Sequence, residues 1–243
     1  MVKVPPEKKK IRLVLLPGLD GSGILFQPLL QALPKEIPTT VLSYPAIDMH
    51  IADLALWVAT QVPKDEDLVV LAESFSGPVA IEWLKTRPKS VVGAIFCATF
   101  ASTPRPFFMK LGKVLPLSWM LPWEISKIFR RQFTLGGQAT EELKQLSDQA
   151  LAYYPHKLIA QRLARLREVD CREDLNRIAV PTLYLQASRD WLVPGNCARP
   201  FLERIPNCKL IRIQGPHLLL QVCPREAADA IRGMIREISL GMD

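Results

Sequence analysis

The strongest constraint on the fold is the alternation of short apolar runs with segments of helical spacing. Six runs are rich in Val, Ile and Leu, and helical patterns separate most of them. The runs are Ile11–Pro17, Thr39–Pro45, Asp67–Glu73, Val91–Ala101, Val180–Ser188 and Cys208–Gly215. Continuous apolar runs are typical of strands covered on both faces, and strand–helix alternation predicts a parallel sheet. We therefore expect an α/β fold, with a mainly parallel sheet of about six strands and helices on both faces.

A long segment between the fourth and fifth runs interrupts this alternation. Residues 103–170 contain several helical pieces divided by prolines and glycines. Eight aromatic side chains belong to this segment: Phe107, Phe108, Trp119, Trp123, Phe129, Phe133, Tyr153 and Tyr154. A structureless loop of this length is uncommon inside a compact domain. We predict an inserted helical cap over 103–170, and a core formed by residues 1–102 and 171–243.

The stretch VVLAESFSGPVA places Ser74 between the third strand and the helix that follows it. The nucleophile elbow G-x-S-x-G makes such a turn and holds its serine in a strained backbone conformation. The small residues needed two positions before and after the serine are Ala72 and Ser76, so both glycines of the motif are absent. Gly77 adds room to the turn. An ordinary strand–helix turn remains the alternative to a nucleophile.

A serine hydroxyl needs a base to act as a nucleophile, and the sequence contains three histidines. His50 precedes a helix and His156 lies in the predicted cap, whereas His217 follows the last strand at the same sheet edge as Ser74. Asp190 follows the fifth strand and is the expected carboxylate partner of His217, with turn capping as its alternative role. The chain order of nucleophile, acid and base is that of a hydrolase triad.

Two backbone N–H groups are candidates for the oxyanion hole that acyl transfer requires. One belongs to Phe75, directly after the serine, and the other to Leu19 in the glycine-rich loop LPGLDGSG. The acidic residue of that loop, Asp20, is interpreted as a turn former, because a carboxylate would repel an oxyanion. Glu73 is interpreted as a structural contact beneath the cap, with a catalytic acid as the alternative.

Composition limits the class of partner. The net charge is +7, but Lys and Arg are spread along the chain, so we expect no nucleic-acid partner. The five cysteines are odd in number and lack metal-ligand or redox spacing, which favours reduced thiols and a cytoplasmic location. An apolar run of 18 residues is missing, so we expect no stable membrane insertion.

Four motifs resemble those of the α/β-hydrolase superfamily: LPGLDGSG, AESFSG, ASRDWLVP around Asp190 and GPHLLLQVCP around His217. The resemblance covers essentially the whole chain. In size and in its single insertion the chain is similar to small capped carboxylesterases, such as the pimeloyl-ester carboxylesterase of biotin synthesis. It departs from the pattern at Pro17, where histidine is usual, and at the two elbow positions. The sheet is expected to lack the first two strands of larger members.

These residues favour a serine hydrolase that cleaves carboxylic esters with short-to-medium acyl chains. The expected partner is a small-molecule ester held beneath the cap, with Trp119, Trp123 and Phe129 as candidate walls of the acyl pocket. No metal or organic cofactor is implied. The alternatives are a thioesterase or a lyase like that of menaquinone synthesis on the same triad, and a non-catalytic ligand receptor on the same fold.

Overall fold

The computed structural model describes residues 10–104 and 134–241. One sheet contains six strands: β1 (Ile11–Leu16), β2 (Thr39–Val41), β3 (Asp67–Glu73), β4 (Val91–Cys97), β5 (Thr182–Ala187) and β6 (Cys208–Ile213). The strands lie in the order β2-β1-β3-β4-β5-β6, and every neighbouring pair is parallel. The predicted α/β fold is therefore confirmed.

Helices connect the strands and cover both faces of the sheet. They are α1 (Gln27–Ala32), α2 (Ile51–Gln61), α3 (Ser76–Leu84), α4 (Glu141–Ala152), α5 (His156–Arg165), α6 (Arg199–Arg204), α7 (Leu219–Val222) and α8 (Pro224–Gly241). Short 3-10 turns occur at Ile24–Phe26, Gly136–Gln138, Leu166–Glu168, Glu173–Arg177 and Gly195–Ala198. Of the helices in the described part of the chain, none is long and apolar enough to cross a membrane.

The core consists of two apolar layers, one on each face of the sheet. Side chains of β3 alternate between them: Leu68 and Val70 face α2, α3 and α6, whereas Val69 and Leu71 face α1, α7 and α8. All seven residues of β3 are buried. A strand buried on both faces needs apolar residues at every position, and this explains the continuous hydrophobic run in the sequence.

Two strands end four residues before the ends of their apolar runs. β2 was expected to continue to Pro45 and ends at Val41, and β4 was expected to continue to Ala101 and ends at Cys97. Large apolar side chains beyond each strand are still buried, as Tyr44 and Phe100 show with exposures of 1% and 2%. These loops pack apolar side chains at the carboxyl edge of the sheet. The apolar run in the sequence therefore continues past the last residue that is hydrogen-bonded in the sheet.

The insertion leaves and rejoins the core at one point. Ser102 and Asp170 form an isolated antiparallel bridge, and the Thr103 N–H donates to the Val169 carbonyl at 3.0 Å. Helices α4 and α5 lie within the insertion, as expected for a helical cap. The candidate pocket residues Trp119, Trp123 and Phe129 lie outside the described residues. The boundaries of the cap at 103 and 170 stay a prediction.

Two glycines give a matched test of the packing between α8 and the sheet. A Cβ at Gly93 of β4 would lie 2.5 Å from Ile238 Cδ1, whereas a Cβ at Gly233 of α8 has no neighbour within 4 Å. Gly93→Val is therefore expected to lower the free energy of unfolding by about 1–3 kcal/mol through overpacking. Gly233→Ala is expected to raise it by about 0.5–1 kcal/mol through helix propensity.

Thermal unfolding of the purified variants measures both effects. For a chain of this size, about 1 kcal/mol corresponds to a change of roughly 2–4 °C in Tm. The two variants should move Tm in opposite directions. Equal Tm values for Gly93→Val and wild type would contradict close packing of α8 on β4.

Candidate active site

Ser74 occupies a sharp turn between β3 and α3. Its backbone φ is +49°, in the left-handed region that non-glycine residues rarely adopt. The Ser74 N–H donates to the Cys97 carbonyl at 2.9 Å, and the Ser74 carbonyl accepts from the Gly77 N–H at 3.1 Å. These bonds fix the turn from both sides. The side chain is partly exposed at the carboxyl edge of the sheet, as an elbow requires.

Thr99 completes the turn, and sequence analysis did not single it out. Its side chain is fully buried and its Oγ1 donates to the Ser74 carbonyl. A Cβ at position 77 would lie 1.9 Å from this Oγ1, so only glycine leaves room for the contact. The motif places a glycine two residues after the serine, where this chain has Ser76. Here the position that requires glycine is Gly77, three residues after the serine. The only signal in the sequence was a polar residue inside an apolar run.

Three predicted residues form a continuous hydrogen-bonded relay. Ser74 Oγ lies 2.9 Å from His217 Nε2, and His217 Nδ1 lies 2.7 Å from Asp190 Oδ2. A carboxylate only accepts hydrogen bonds, so Nδ1 carries the proton of the neutral imidazole and Nε2 accepts from the serine hydroxyl. The structure therefore brings together side chains that are 143 and 27 positions apart in the sequence.

Asp190 is oriented by its own loop. Oδ1 accepts from the N–H groups of Leu192 and Val193, both at 2.8 Å, while Oδ2 faces His217. The carboxylate therefore caps its turn and contacts the histidine at the same time, so the two roles considered from the sequence coexist. Its side chain is 2% exposed, and this burial keeps competing water away from the imidazole.

Two carboxylates control the charge of His217. Burial alone lowers the pKa of the imidazole, but Asp190 and, more weakly, Glu73 favour the protonated form, and the net pKa is raised above its usual value. Burial raises the pKa of Glu73 itself to about 7. The Glu73 carboxyl therefore changes its charge near neutral pH, and its charged form favours the imidazolium of His217.

Glu73 is held by a second residue that sequence analysis missed. Gln221 of α7 donates through Nε2 to Glu73 Oε1 at 3.0 Å, and both side chains are buried. The contact ties β3, which ends at Glu73, to the helix that follows His217. This geometry agrees with the interpretation of Glu73 as a structural contact. The signal for Gln221 was one amide in the apolar run HLLLQV.

The loop after β1 is a tight turn. The Gly21 N–H donates to the Gly18 carbonyl at 3.0 Å, and Asp20 Oδ2 accepts from the Ser22 N–H at 2.9 Å. Asp20 is thus a turn former, as expected. Across residues 10–104 and 134–241, no group accepts a hydrogen bond from the N–H of Leu19 or Phe75. Phe75 is 1% exposed, and an unpaired buried donor is costly unless it serves a ligand.

Arg162 of α5 anchors this loop to the insertion. Its side chain is buried, and its guanidinium donates to the carbonyls of Asp20 at 2.8 Å and Pro45 at 3.1 Å. It also lies 4.7 Å from the ring centroid of Tyr154. A Cβ at Gly21 would lie 2.0 Å from Arg162 Nη1, so this glycine makes room for the cation.

The other two histidines are not part of the relay. His50 is the residue that precedes α2, and its Nδ1 lies 3.5 Å from Arg165 Nη1. His156 begins α5 and is exposed. The five cysteines are free thiols. Within the described ranges, no group of three or more His, Cys, Asp or Glu side chains is arranged to hold a metal ion.

Comparison with solved structures shows the same fold in hydrolases. An esterase from Exiguobacterium antarcticum superimposes with a TM-score of 0.80 at 14% identity, covering 95% of this chain and 93% of that one. A lipase-esterase related protein from Clostridium acetobutylicum gives 0.77 at 16% identity, covering 93% and 95%. Proline iminopeptidase from Mycobacterium smegmatis gives 0.69 at 15% identity, covering 96% and 92%.

Comparison at the level of sequence identifies the family. A search of curated proteins returned no significant match. The family profile described as serine aminopeptidase, S33, matches residues 40–218, which include Ser74, Asp190 and His217. That range is well over half of the chain. The chain therefore belongs to the serine aminopeptidase S33 family of α/β-hydrolases.

Proposed function

We propose that this hydrolase cleaves carboxylic esters of short-to-medium acyl chains through an acyl-enzyme on Ser74. The observation that carries the proposal is the relay from Ser74 Oγ through His217 to Asp190, with distances of 2.9 and 2.7 Å. The relay lies at the carboxyl edge of the sheet, where ligands bind in parallel α/β folds. The relay consists of the buried side chains of His217 and Asp190 and the partly exposed hydroxyl of Ser74, which a substrate can reach.

The first half of the reaction forms the acyl-enzyme. His217 Nε2 takes the proton of the Ser74 hydroxyl while Oγ bonds to the ester carbonyl carbon. The carbonyl oxygen becomes an oxyanion, which the N–H groups of Leu19 and Phe75 stabilise. The imidazolium then gives its proton to the leaving alcohol as the C–O bond breaks. Asp190 stabilises the imidazolium throughout.

The second half releases the acid. Water gives a proton to His217 Nε2 and adds to the acyl carbon, and a second oxyanion forms in the same position. The tetrahedral species collapses, the bond to Oγ breaks, and the serine recovers its proton from the imidazolium. The proton that leaves Ser74 passes through His217 to the alcohol, and the proton that leaves water passes through His217 to Ser74 Oγ, so no metal or organic cofactor is required by this scheme.

A peptide amide is the second candidate substrate. It is favoured by the description of the matching family and by the iminopeptidase among the structural neighbours. An ester is favoured by the two esterase-related neighbours. Parallel assays with nitrophenyl esters, a thioester and aminoacyl nitroanilides, including the prolyl compound, separate these substrate classes. Absence of turnover with all of them would favour the non-catalytic receptor.

Removal of the Ser74 hydroxyl provides the most direct test. Ser74→Ala is expected to lower kcat/KM for nitrophenyl butyrate by about 10⁴-fold, because the nucleophile is lost while the fold is retained. A fluorophosphonate should modify the wild type once, on the peptide that contains Ser74, as mass spectrometry can show. Labelling of another serine, or full activity of Ser74→Ala in a folded protein, would refute the assignment.

The pH dependence tests the base. Activity should rise with pH as His217 loses its proton, and the midpoint should lie above the usual value of about 6.5, because the net pKa is raised. Glu73→Gln should move this midpoint to lower pH, since one carboxylate that favours the imidazolium is removed. Glu66→Gln, which removes an ion pair with Arg12 at the opposite edge, should leave it unchanged. A rate that is flat from pH 5 to 9 would exclude a histidine base.

The acyl preference tests the role of the cap. Apolar walls stabilise an acyl chain by about 0.8 kcal/mol per methylene, so kcat/KM should rise up to ~4-fold per CH₂. We expect a maximum near C4–C8 among nitrophenyl esters from C2 to C16. Trp119→Ala, Trp123→Ala or Phe129→Ala should flatten the profile, and Leu240→Ala at the exposed end of α8 should not. A maximum at C2 in every variant would exclude the cap as the acyl wall.

A further inference from the structure

The Ser76 hydroxyl joins the first turn of α3 to the end of β1. Ser76 Oγ donates to the Pro17 carbonyl, and the hydroxyl of Tyr44 lies within hydrogen-bonding distance of the same Oγ. A carbonyl only accepts, and the Ser76 hydroxyl has a single proton, so Tyr44 must donate to Ser76. Donation therefore runs from Tyr44 to Ser76 to Pro17. All three residues are buried, and Ser76 has no exposed surface.

Tyr44 is itself fixed by the surrounding backbone. Its N–H donates to the Gly21 carbonyl at 2.8 Å, and its carbonyl accepts from the Tyr154 hydroxyl of the insertion. Its ring packs edge-on against Phe75, with the ring centroids 6.2 Å apart. The phenol that supports Ser76 thus has a defined position between the loop after β1 and the residue after the nucleophile.

The Pro17 carbonyl fixes the peptide group directly before the one that carries the Leu19 N–H. The peptide group between Pro17 and Gly18 is held by the hydrogen bond from Ser76 to the Pro17 carbonyl. The next peptide group, between Gly18 and Leu19, carries the Leu19 N–H and is held by the hydrogen bond from the Gly21 N–H to the Gly18 carbonyl. In a trans peptide the N–H points opposite to the carbonyl, so these two bonds set the direction of the Leu19 N–H. Between them lies only Gly18, whose φ and ψ are the least restricted of any residue.

We propose that Ser76 is a positioning residue that holds the oxyanion loop, through the Pro17 carbonyl, so that the Leu19 N–H is aligned with the reacting carbonyl. The role rests on the proposed function, since it belongs to the same acyl-transfer site. It gives a reason for the missing elbow glycine: a hydroxyl at this position supplies a hydrogen bond that glycine cannot. A misdirected N–H loses its interaction with the oxyanion but has little contact with the ground-state ester, so the effect falls on kcat.

The test compares Ser76→Ala and Ser76→Gly with wild type in two reactions. Both variants are expected to lower kcat for nitrophenyl butyrate by about 10–100-fold, part of the ~10²–10³-fold that loss of one oxyanion donor costs. KM should change by less than about 3-fold, because ground-state binding is retained. The rate of fluorophosphonate labelling at Ser74 should fall with kcat, since the phosphoryl oxygen uses the same donors. Tyr44→Phe should give a smaller decrease, because the Ser76–Pro17 bond remains.

Ser239→Ala is the matched control, because its Oγ also donates to a backbone carbonyl, that of Ile235, at 2.9 Å in α8. It should keep the kcat and labelling rate of wild type. Glycine fits an elbow at this position, so Ser76→Gly decides the question if Ser76→Ala does not fold. Wild-type kcat and labelling rate in folded Ser76→Gly, or a rise in KM alone, would overturn the proposal. A wild type that is labelled but hydrolyses no ester would refute the proposed function, and the labelling rates would still decide the role of Ser76.

Discussion

The site depends on one backbone constraint, the left-handed conformation of Ser74 at the end of a fully buried strand. Such a conformation costs on the order of 1–3 kcal/mol and persists only where neighbouring groups over-determine it. Here the Cys97 carbonyl, the Gly77 N–H and the Thr99 hydroxyl all bind the same residue. The sheet provides the first of these contacts, α3 the second and the loop after β4 the third. The position of Ser74 is therefore a property of the whole sheet edge.

Much of this arrangement could be predicted from the sequence because it follows a periodic or positional rule. Continuous apolar runs mark buried strands, and parallel strands place their carboxyl ends at one edge, so Ser74, Asp190 and His217 could be expected to converge. The ends of β2 and β4 were overestimated, since buried loops are as apolar as strands. For Leu19 and Phe75 the sequence could indicate only that a backbone N–H is present at the right place in the chain. The direction of each N–H depends on the conformation of its loop.

The polar contacts around Ser74, Asp190 and His217 could not be predicted in the same way. Thr99 and Gln221 each act through one hydrogen bond and Arg162 through bonds to two carbonyls, all in segments that lie far away in the chain, and such isolated contacts leave no periodic trace. Each could be seen only as a polar residue in apolar surroundings, a pattern that usually indicates a satisfied structural side chain. Tertiary geometry is needed to distinguish residues that support a site from those that support the fold.

The bridge between Ser102 and Asp170 has a consequence for the length of the insertion. Because both ends of the insertion meet at one point of the core, the closed loop can change in length without moving any strand. The entropic cost of closure grows only slowly, by about 0.6 kcal/mol for each doubling of length. The insertion can therefore differ in length at a small cost in stability, while the strands and the sheet edge that carries Ser74 keep their positions.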